Sequence, residues 1–196
     1  MKLFYTKRSP YARKVRIMAI EKQIFLELME EDLTNKSSRL LGVNPLGKIP
    51  ALLLDNGETL VDSPVICEYL ESVKEQPVFI PKDKKERFKI LCWEAIADGM
   101  MDAAVTGYME KIRHPESFNA PLVKNQEDTI ARGLDFFEKH WKELEQLSLA
   151  SIAVASAIGY INFRLPHAGP QMKHPKLAKW FDEFSKRPSL AATKPG

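Results

Sequence analysis

Three short stretches carry residues whose types and spacing can do chemistry. Ser9-Pro10 puts a hydroxyl where a helix prefers its first cap and a proline in the first turn behind it. A plain helix cap satisfies that pair, the hydroxyl accepting a backbone N–H with no ligand present. Asp62-Ser63-Pro64 repeats the signal, with an acid that suits the positive end of a helix. Between them, Asn44-Pro45-Leu46-Gly47-Lys48-Ile49-Pro50 runs straight into the apolar residues Ala51 to Leu54. If the Ile49–Pro50 bond is cis, Ile49 turns its backbone N–H and C=O outward beside a strand, where an extended peptide can pair with them. If it is trans, the commoner geometry, Pro50 simply opens an ordinary strand.

Other chemistries find little footing. There is no Cys-x-x-Cys, no Gly-x-Ser-x-Gly elbow and no glycine-rich phosphate loop. The four histidines, His114, His140, His167 and His174, all lie in the second half, and none has a metal ligand four residues on.

The bulk composition bounds the rest. At 196 residues, 44% hydrophobic and 28% charged, the chain has the make-up of a soluble globular protein. A net charge of +3 is too small to imply nucleic acid. Ser156 and Gly159 interrupt the longest apolar stretch, Ile152 to Ile161, which is shorter than the roughly 18 residues a membrane span needs. The first residues reach Lys7-Arg8 without the apolar core of a secretory signal. Cys67 and Cys92 stand singly in helical patterns, which suits a reducing compartment. The expectation is a cytoplasmic protein with neither a nucleic-acid nor a membrane partner.

The elements follow from spacing. Lys2 to Tyr5 reads as a strand, and a helix runs from Ser9-Pro10 to Glu21-Lys22 with Tyr11, Val15, Met18 and Ala19 on one face. Ile24 to Met29 reads as a strand with Phe25 inward, and Thr34 to Leu41 as a short helix that Gly42 closes from the left-handed conformation. Asp55-Asn56-Gly57 turns the proline-led strand back as Glu58 to Val61. Val65, Ile66, Tyr69, Leu70 and Val73 then line a helix. Beyond residue 83 only helices are legible. One is striped by Phe88, Leu91, Cys92, Ala95, Ile96, Gly99 and Ala103 and reaches towards Arg113; a second carries Ile130, Leu134, Phe137, Trp141 and Leu144. Ile152 to Phe163, apolar nearly all round, reads as a central buried helix, and His174-Pro175 begins a last one ended by Arg187-Pro188. Ala191 to Gly196 reads as a disordered tail. The expected organisation is an α/β domain over residues 1–74, a packed linker over 75–83 and an all-helical domain over 84–196.

Ser9 to Val15, Asn44 to Leu52, Asp62-Ser63 before a helix, His174-Pro175-Lys176-Leu177 and Arg187-Pro188-Ser189 occur in the order found in the glutathione transferase superfamily. The chain resembles that family over essentially its whole length, most of all its bacterial members with a serine at the start of the first helix. The resemblance implies a thioredoxin-like N-terminal domain, an all-α C-terminal domain, usually a homodimer, and glutathione as co-substrate with no metal. It makes Ser9 the catalytic residue, a hydroxyl that donates to the glutathione sulfur and lowers the thiol pKa. Tyr5, Thr6 and Tyr11 are hydroxyls near enough in sequence to share that role.

For glutathione itself the resemblance implies Ser9, Lys36, Lys48, Ile49, Pro50, Asp62 and Ser63. Ile49 pairs with the cysteinyl backbone, Ser63 takes the γ-glutamyl carboxylate and Asp62 the ammonium; Lys36, Lys48 or Arg39 takes the glycine carboxylate. The electrophile belongs between the domains, towards Arg8, Tyr11, Met101, Val105 and Tyr108. Two departures stand out. Ser148-Leu149-Ala150-Ser151 has a serine where the family's central helix carries a capping acid, which implies a weaker cap. Asp62 stands where glutamate is commoner. The implied activity is attack of the activated thiol on small electrophiles, with peroxide reduction, isomerisation or dehalogenation on the same thiolate as variants. The other reading is a non-catalytic interaction module on the same fold.

Overall fold

A computed structural model describes residues 1–35, 37–171 and 173–196, with Ser38 as backbone alone. In the first half, β1 (Lys2–Tyr5) and β2 (Glu27–Glu30) run parallel, joined by α1 (Pro10–Glu21). α2 (Ser38–Val43) leads to β3 (Ala51–Leu53), antiparallel to β1, and β4 (Thr59–Leu60) completes a hairpin before α3 (Ser63–Val73). The sheet order is β2-β1-β3-β4, and Leu3 lies opposite both Leu28 and Leu52. Strand side chains alternate between faces, so Leu3 enters the main core while Phe4 packs with Leu40, Val43 and Ala51 under α2. Gly57, at φ 88°, makes the hairpin turn.

The second half is helical. α4 (Lys84–Arg113) and α5 (Ala120–Lys139) precede a 3-10 turn at Trp141–Glu145; α6 (Leu149–Arg164) and a second 3-10 turn at Pro166–Ala168 precede α7 (Pro175–Phe184) and α8 (Pro188–Ala192). α6 is buried at every position from Leu149 to Ile161, as its all-round apolar sequence requires. Its cap is complete despite the missing acid: Ser148 Oγ accepts the Ser151 N–H at 3.2 Å, and Ser151 Oγ accepts the Ser148 N–H at 2.9 Å. Among the described residues no helix is long and apolar enough to cross a membrane.

The segment between α3 and α4 is pinned to both halves. Lys22, fully buried, donates from Nζ to the carbonyls of Lys74 at 2.7 Å and Pro77 at 2.8 Å. The Leu149 N–H at the start of α6 donates to the Phe79 carbonyl at 3.0 Å.

Several expectations are corrected. Phe25 points outward, 85% exposed, because Gln23 at φ 55° turns the chain after α1 and pairing with β1 begins only at Glu27; Leu26 is the inward residue. The helix expected over 34–41 is Ser38–Val43, capped by Ser37, so Gly42 lies inside it and the left-handed glycine is Gly47 at φ 58°. Val65 and Val73 face outward from α3, whose buried residues include Ile66, Cys67 and Leu70. On α4 the buried face is Trp93, Ala97, Met100, Met101 and Ala104, while Phe88 and Cys92 are exposed. α4 is apolar on two sides, and spacing alone does not say which side meets α1 and α6. α5 ends at Lys139, so Trp141 and Leu144 belong to the 3-10 turn. The tail is ordered as far as Thr193, which is buried and donates to the Ser189 carbonyl at 2.8 Å.

Candidate functional site

Sheet connectivity brings the three stretches to one end of the sheet. β1 runs into the Ser9 loop, and antiparallel β3 begins at that same end, with Ala51 beside Phe4. β4 returns antiparallel to β3 and so delivers Asp62-Ser63 there too.

Ser9 caps α1, its Oγ accepting the Ala12 N–H at 3.2 Å. Accepting uses a lone pair and leaves the hydroxyl proton free to donate, at the positive end of a twelve-residue helix. The Ile49–Pro50 bond is cis. Among the described residues the Ile49 N–H and C=O have no hydrogen-bond partner, so a short strand edge stands open beside the cap. Asn44, which the sequence reading used only as part of the stretch, holds this loop: it is buried, its Nδ2 donates to the Lys48 carbonyl at 2.8 Å and its Oδ1 accepts the Leu46 N–H at 3.0 Å. An asparagine before proline with glycine three residues on is a turn signal that could have revealed it.

Asp62 caps α3, its exposed carboxylate accepting the Ser63 N–H. Ser63 is fully buried, and its Oγ has no partner among the described residues. A buried hydroxyl without a partner costs about 1–3 kcal/mol, which a ligand acceptor can recover. Lys48 is exposed. Arg39 turns away towards Glu31, its Nη2 3.7 Å from Oε1, and lies over the Phe4 ring. Lys36 lies outside the described residues. Among the described residues no group of three or more His, Cys, Asp or Glu is arranged to hold a metal.

The remaining hydroxyls are placed differently. Tyr5 is buried under the Arg16 guanidinium, 4.8 Å from the ring centroid, and Thr6 is half-buried. Tyr11 donates to Asp102 of α4; burial first, then the Asp102 carboxylate, push the phenol well above its ordinary range. Of the residues expected to line an electrophile site, Met101 is fully buried in the core, Val105 and Tyr108 are half-buried and Arg8 is exposed.

Matches to known proteins agree with the fold. The family described as "Glutathione S-transferase, N-terminal domain" matches residues 8–73, and "Glutathione S-transferase, C-terminal domain" matches residues 96–188. The "Uncharacterized GST-like protein YibF" of Escherichia coli is 35% identical over 100% of this chain and 98% of its own length. The chain belongs to the glutathione S-transferase family. A glutathione transferase family member from Pseudomonas fluorescens, solved with bound glutathione, is 40% identical with a TM-score of 0.95, covering 100% of this chain and 98% of its own. Another Pseudomonas fluorescens structure, with bound S-(propanoic acid)-glutathione, is 40% identical with a TM-score of 0.91 over 100% of both chains.

In this transferase fold one cluster escaped the sequence reading. Lys14 of α1 is fully buried, its Nζ 2.7 Å from Glu94 Oε1 and 2.7 Å from Asp98 Oδ2, both on α4. With Tyr11 bound to Asp102, this ties the Ser9 end of α1 to the helical half. Burial pushes the Asp98 carboxyl up to about 6, Lys14 pulling it down while Glu94 and Asp62 push it further up. A groove of about 570 Å³ between α3 and α4, carrying Glu68, Asp98 and Asp102, begins at Pro64 beside the α3 cap. The missed signal was a lysine at helical spacing within an apolar face, between Tyr11 and Met18.

Proposed function

We propose that this family member binds glutathione across the N-termini of α1 and α3 and attacks small electrophiles with the thiolate. The observation that carries this reading is a set of unused polar groups at one end of the sheet: the open Ile49 backbone and the buried, unpartnered Ser63 hydroxyl. The Ser9 proton, free to donate, joins them there. The cysteinyl backbone extends the sheet at Ile49, beside Pro50. Its sulfur meets the Ser9 hydroxyl, as in the serine-type bacterial transferases. The γ-glutamyl carboxylate takes the Ser63 N–H and Oγ, displacing Asp62, whose carboxylate turns to the ammonium; the acids of the neighbouring groove favour the same cation. Lys48 meets the glycine carboxylate, and the same reading keeps Lys36 as a second cation for it.

Family neighbours with glutathione and with S-(propanoic acid)-glutathione support both the ligand and room for a substituent on its sulfur. Two free cysteines, Cys67 and Cys92, fit the cytoplasm. The test is calorimetric titration with reduced glutathione. Saturable binding is expected, and Asp62→Ala weakens it about tenfold, the value of a charged hydrogen bond. No binding at millimolar glutathione sinks the transferase reading in favour of a non-catalytic interaction module.

A homodimer is part of this proposal. The outward side of α4 and α3 leaves apolar side chains exposed beside the acidic groove: Phe88 is 61% and Val65 47% exposed, and Cys92 and Ala95 are also exposed. Light scattering at micromolar concentration is expected to give twice the chain mass, and a monomer counts against it.

A further inference from the structure

The helix that Ser9 caps is held at both ends by the last stretch of the chain. Glu21, the final residue of α1, accepts from Arg187 Nε at 2.8 Å, from Arg187 Nη2 at 2.9 Å and from the Ser189 hydroxyl at 2.5 Å. In the first turn of α1, Arg13 reaches the same stretch. Its Nη2 donates to the Leu190 carbonyl at 3.3 Å and its Nε to the Thr193 hydroxyl at 3.4 Å. Ser189, Leu190 and Thr193 are all buried. Residues 187–193 thus clasp α1 from the side of α8.

Stability alone does not account for Arg13. It is 4% exposed, forms no ion pair among the described residues, and leaves Nη1 buried without a hydrogen-bond partner. Burial first, then the Arg16 charge, bring the guanidinium down to about 10. Its neighbours on α1 fare differently, Lys14 meeting Glu94 and Asp98 and Tyr11 meeting Asp102. An apolar side chain fills a buried space at less cost than a cation whose acceptors are all neutral. What the guanidinium adds is direction. Its planar fork lies between residues 187–193 and α6, where a Cβ on Gly159 would collide with Nη1. The backbone N–H of this same residue donates to the Ser9 carbonyl at 3.0 Å, closing the first turn. Where Arg13 is held, Ser9 is held.

We propose that Arg13 is a positioning residue for Ser9, and that residues 187–193 act on the reaction through it without touching glutathione. The inference rests on the glutathione transferase reading above and deepens it. A hydroxyl donor is useful only along the line to the sulfur, and a small displacement of the turn that carries it loses rate out of proportion to the distance moved. Glutathione affinity does not pass through Arg13, because in that reading the binding contacts lie on Ile49, Asp62 and Ser63.

The test is a double-mutant cycle on the full chain, read as turnover of a neutral model electrophile and as calorimetric titration of glutathione. Arg13→Met is expected to lower kcat about tenfold, with KM for glutathione and the titrated affinity within about twofold of the wild type. In the Ser9→Ala background the same substitution is expected to change kcat by less than about twofold, because the group it positions is gone. A merely structural defect, such as a smaller folded fraction, lowers kcat equally in both backgrounds. Thr193→Val removes the acceptor of Arg13 Nε and touches nothing on α1. It is expected to give a smaller loss that also vanishes with Ser9→Ala, and it carries the test should Arg13→Met fail to fold. A loss of equal size in both backgrounds, or no loss in the wild-type background, overturns the inference and leaves glutathione binding intact. A wild-type chain that binds no glutathione, or a Ser9→Ala chain as active as the wild type, overturns the underlying reading and the inference with it.

Discussion

Ser9→Ala is expected to lower kcat/KM for a neutral model electrophile roughly 10²-fold at pH 7, the scale for removing one preorganised donor from a developing or resting anion. In the proposed binding mode the other contacts lie on Ile49, Asp62 and Ser63, so glutathione affinity should change little. A free thiol near pKa 8.5 is a few per cent thiolate at neutral pH, and under the proposed function the Ser9 hydroxyl, which caps α1, raises that fraction. The sign of the pH dependence follows. Without the donor, the bound thiol titrates higher, so the deficit is largest near pH 6.5 and shrinks as the pH passes about 9 and solvent alone makes thiolate. Ser9 also caps α1, and losing a cap costs about 1 kcal/mol, so Ser9→Gly, which costs only a few tenths, separates the two roles. If both variants turn over like the wild type across the pH range, another group activates the sulfur.

Lys14→Met is expected to destabilise the fold by about 3–5 kcal/mol, the usual cost of leaving a buried charge without its partner. Glu94 is 3% exposed, and Asp98 loses both of its bonds to Lys14. Against a total stability of about 5–15 kcal/mol this is a large share, and a denaturant midpoint reads it directly. Adding Glu94→Gln and Asp98→Asn should restore much of the loss by removing the stranded charges. The pH dependence carries its own sign. The Asp98 carboxyl is already pushed up to about 6 in the fold, by burial above all. An acid raised in the folded state contributes stability at low pH that is lost as the pH climbs from about 4, its unfolded value, through the folded one. Removing Lys14 raises Asp98 further, so the defect should be smaller at pH 5 than at pH 8. A loss equal at both pH values would mean that Lys14 acts by packing, not by charge.

Local signals were legible where one residue type dictates one geometry. Ser9-Pro10 and Asp62-Ser63-Pro64 start helices in the structure as their chemistry requires, the second with Asp62 and not Ser63 as the cap. Gly57 turns the hairpin, and the run from Leu149 to Ile161 is buried because it offers no polar side to solvent. The resemblance in ordered motifs identified the family before any coordinate was needed. Faces were harder. Phe25, expected inward, points out, and so do Val65 and Phe88 on the apolar stripes of α3 and α4, because a stretch apolar on two sides does not state which side has a neighbour.

What the sequence determined by itself was the main strands and helices, their order, and the caps and turn at Ser9, Asp62 and Gly57, all products of interactions spanning a few residues. Tertiary structure alone decided that Ser9, Ile49 and Ser63 share one end of the sheet, since strand pairing joins positions tens of residues apart. It alone decided that Lys14 meets Glu94 and Asp98, and that the Arg164 guanidinium lies against the Tyr108 and Phe163 rings. A buried charge such as Lys14 takes its meaning from the partner folding brings, and spacing along a chain does not record that partner.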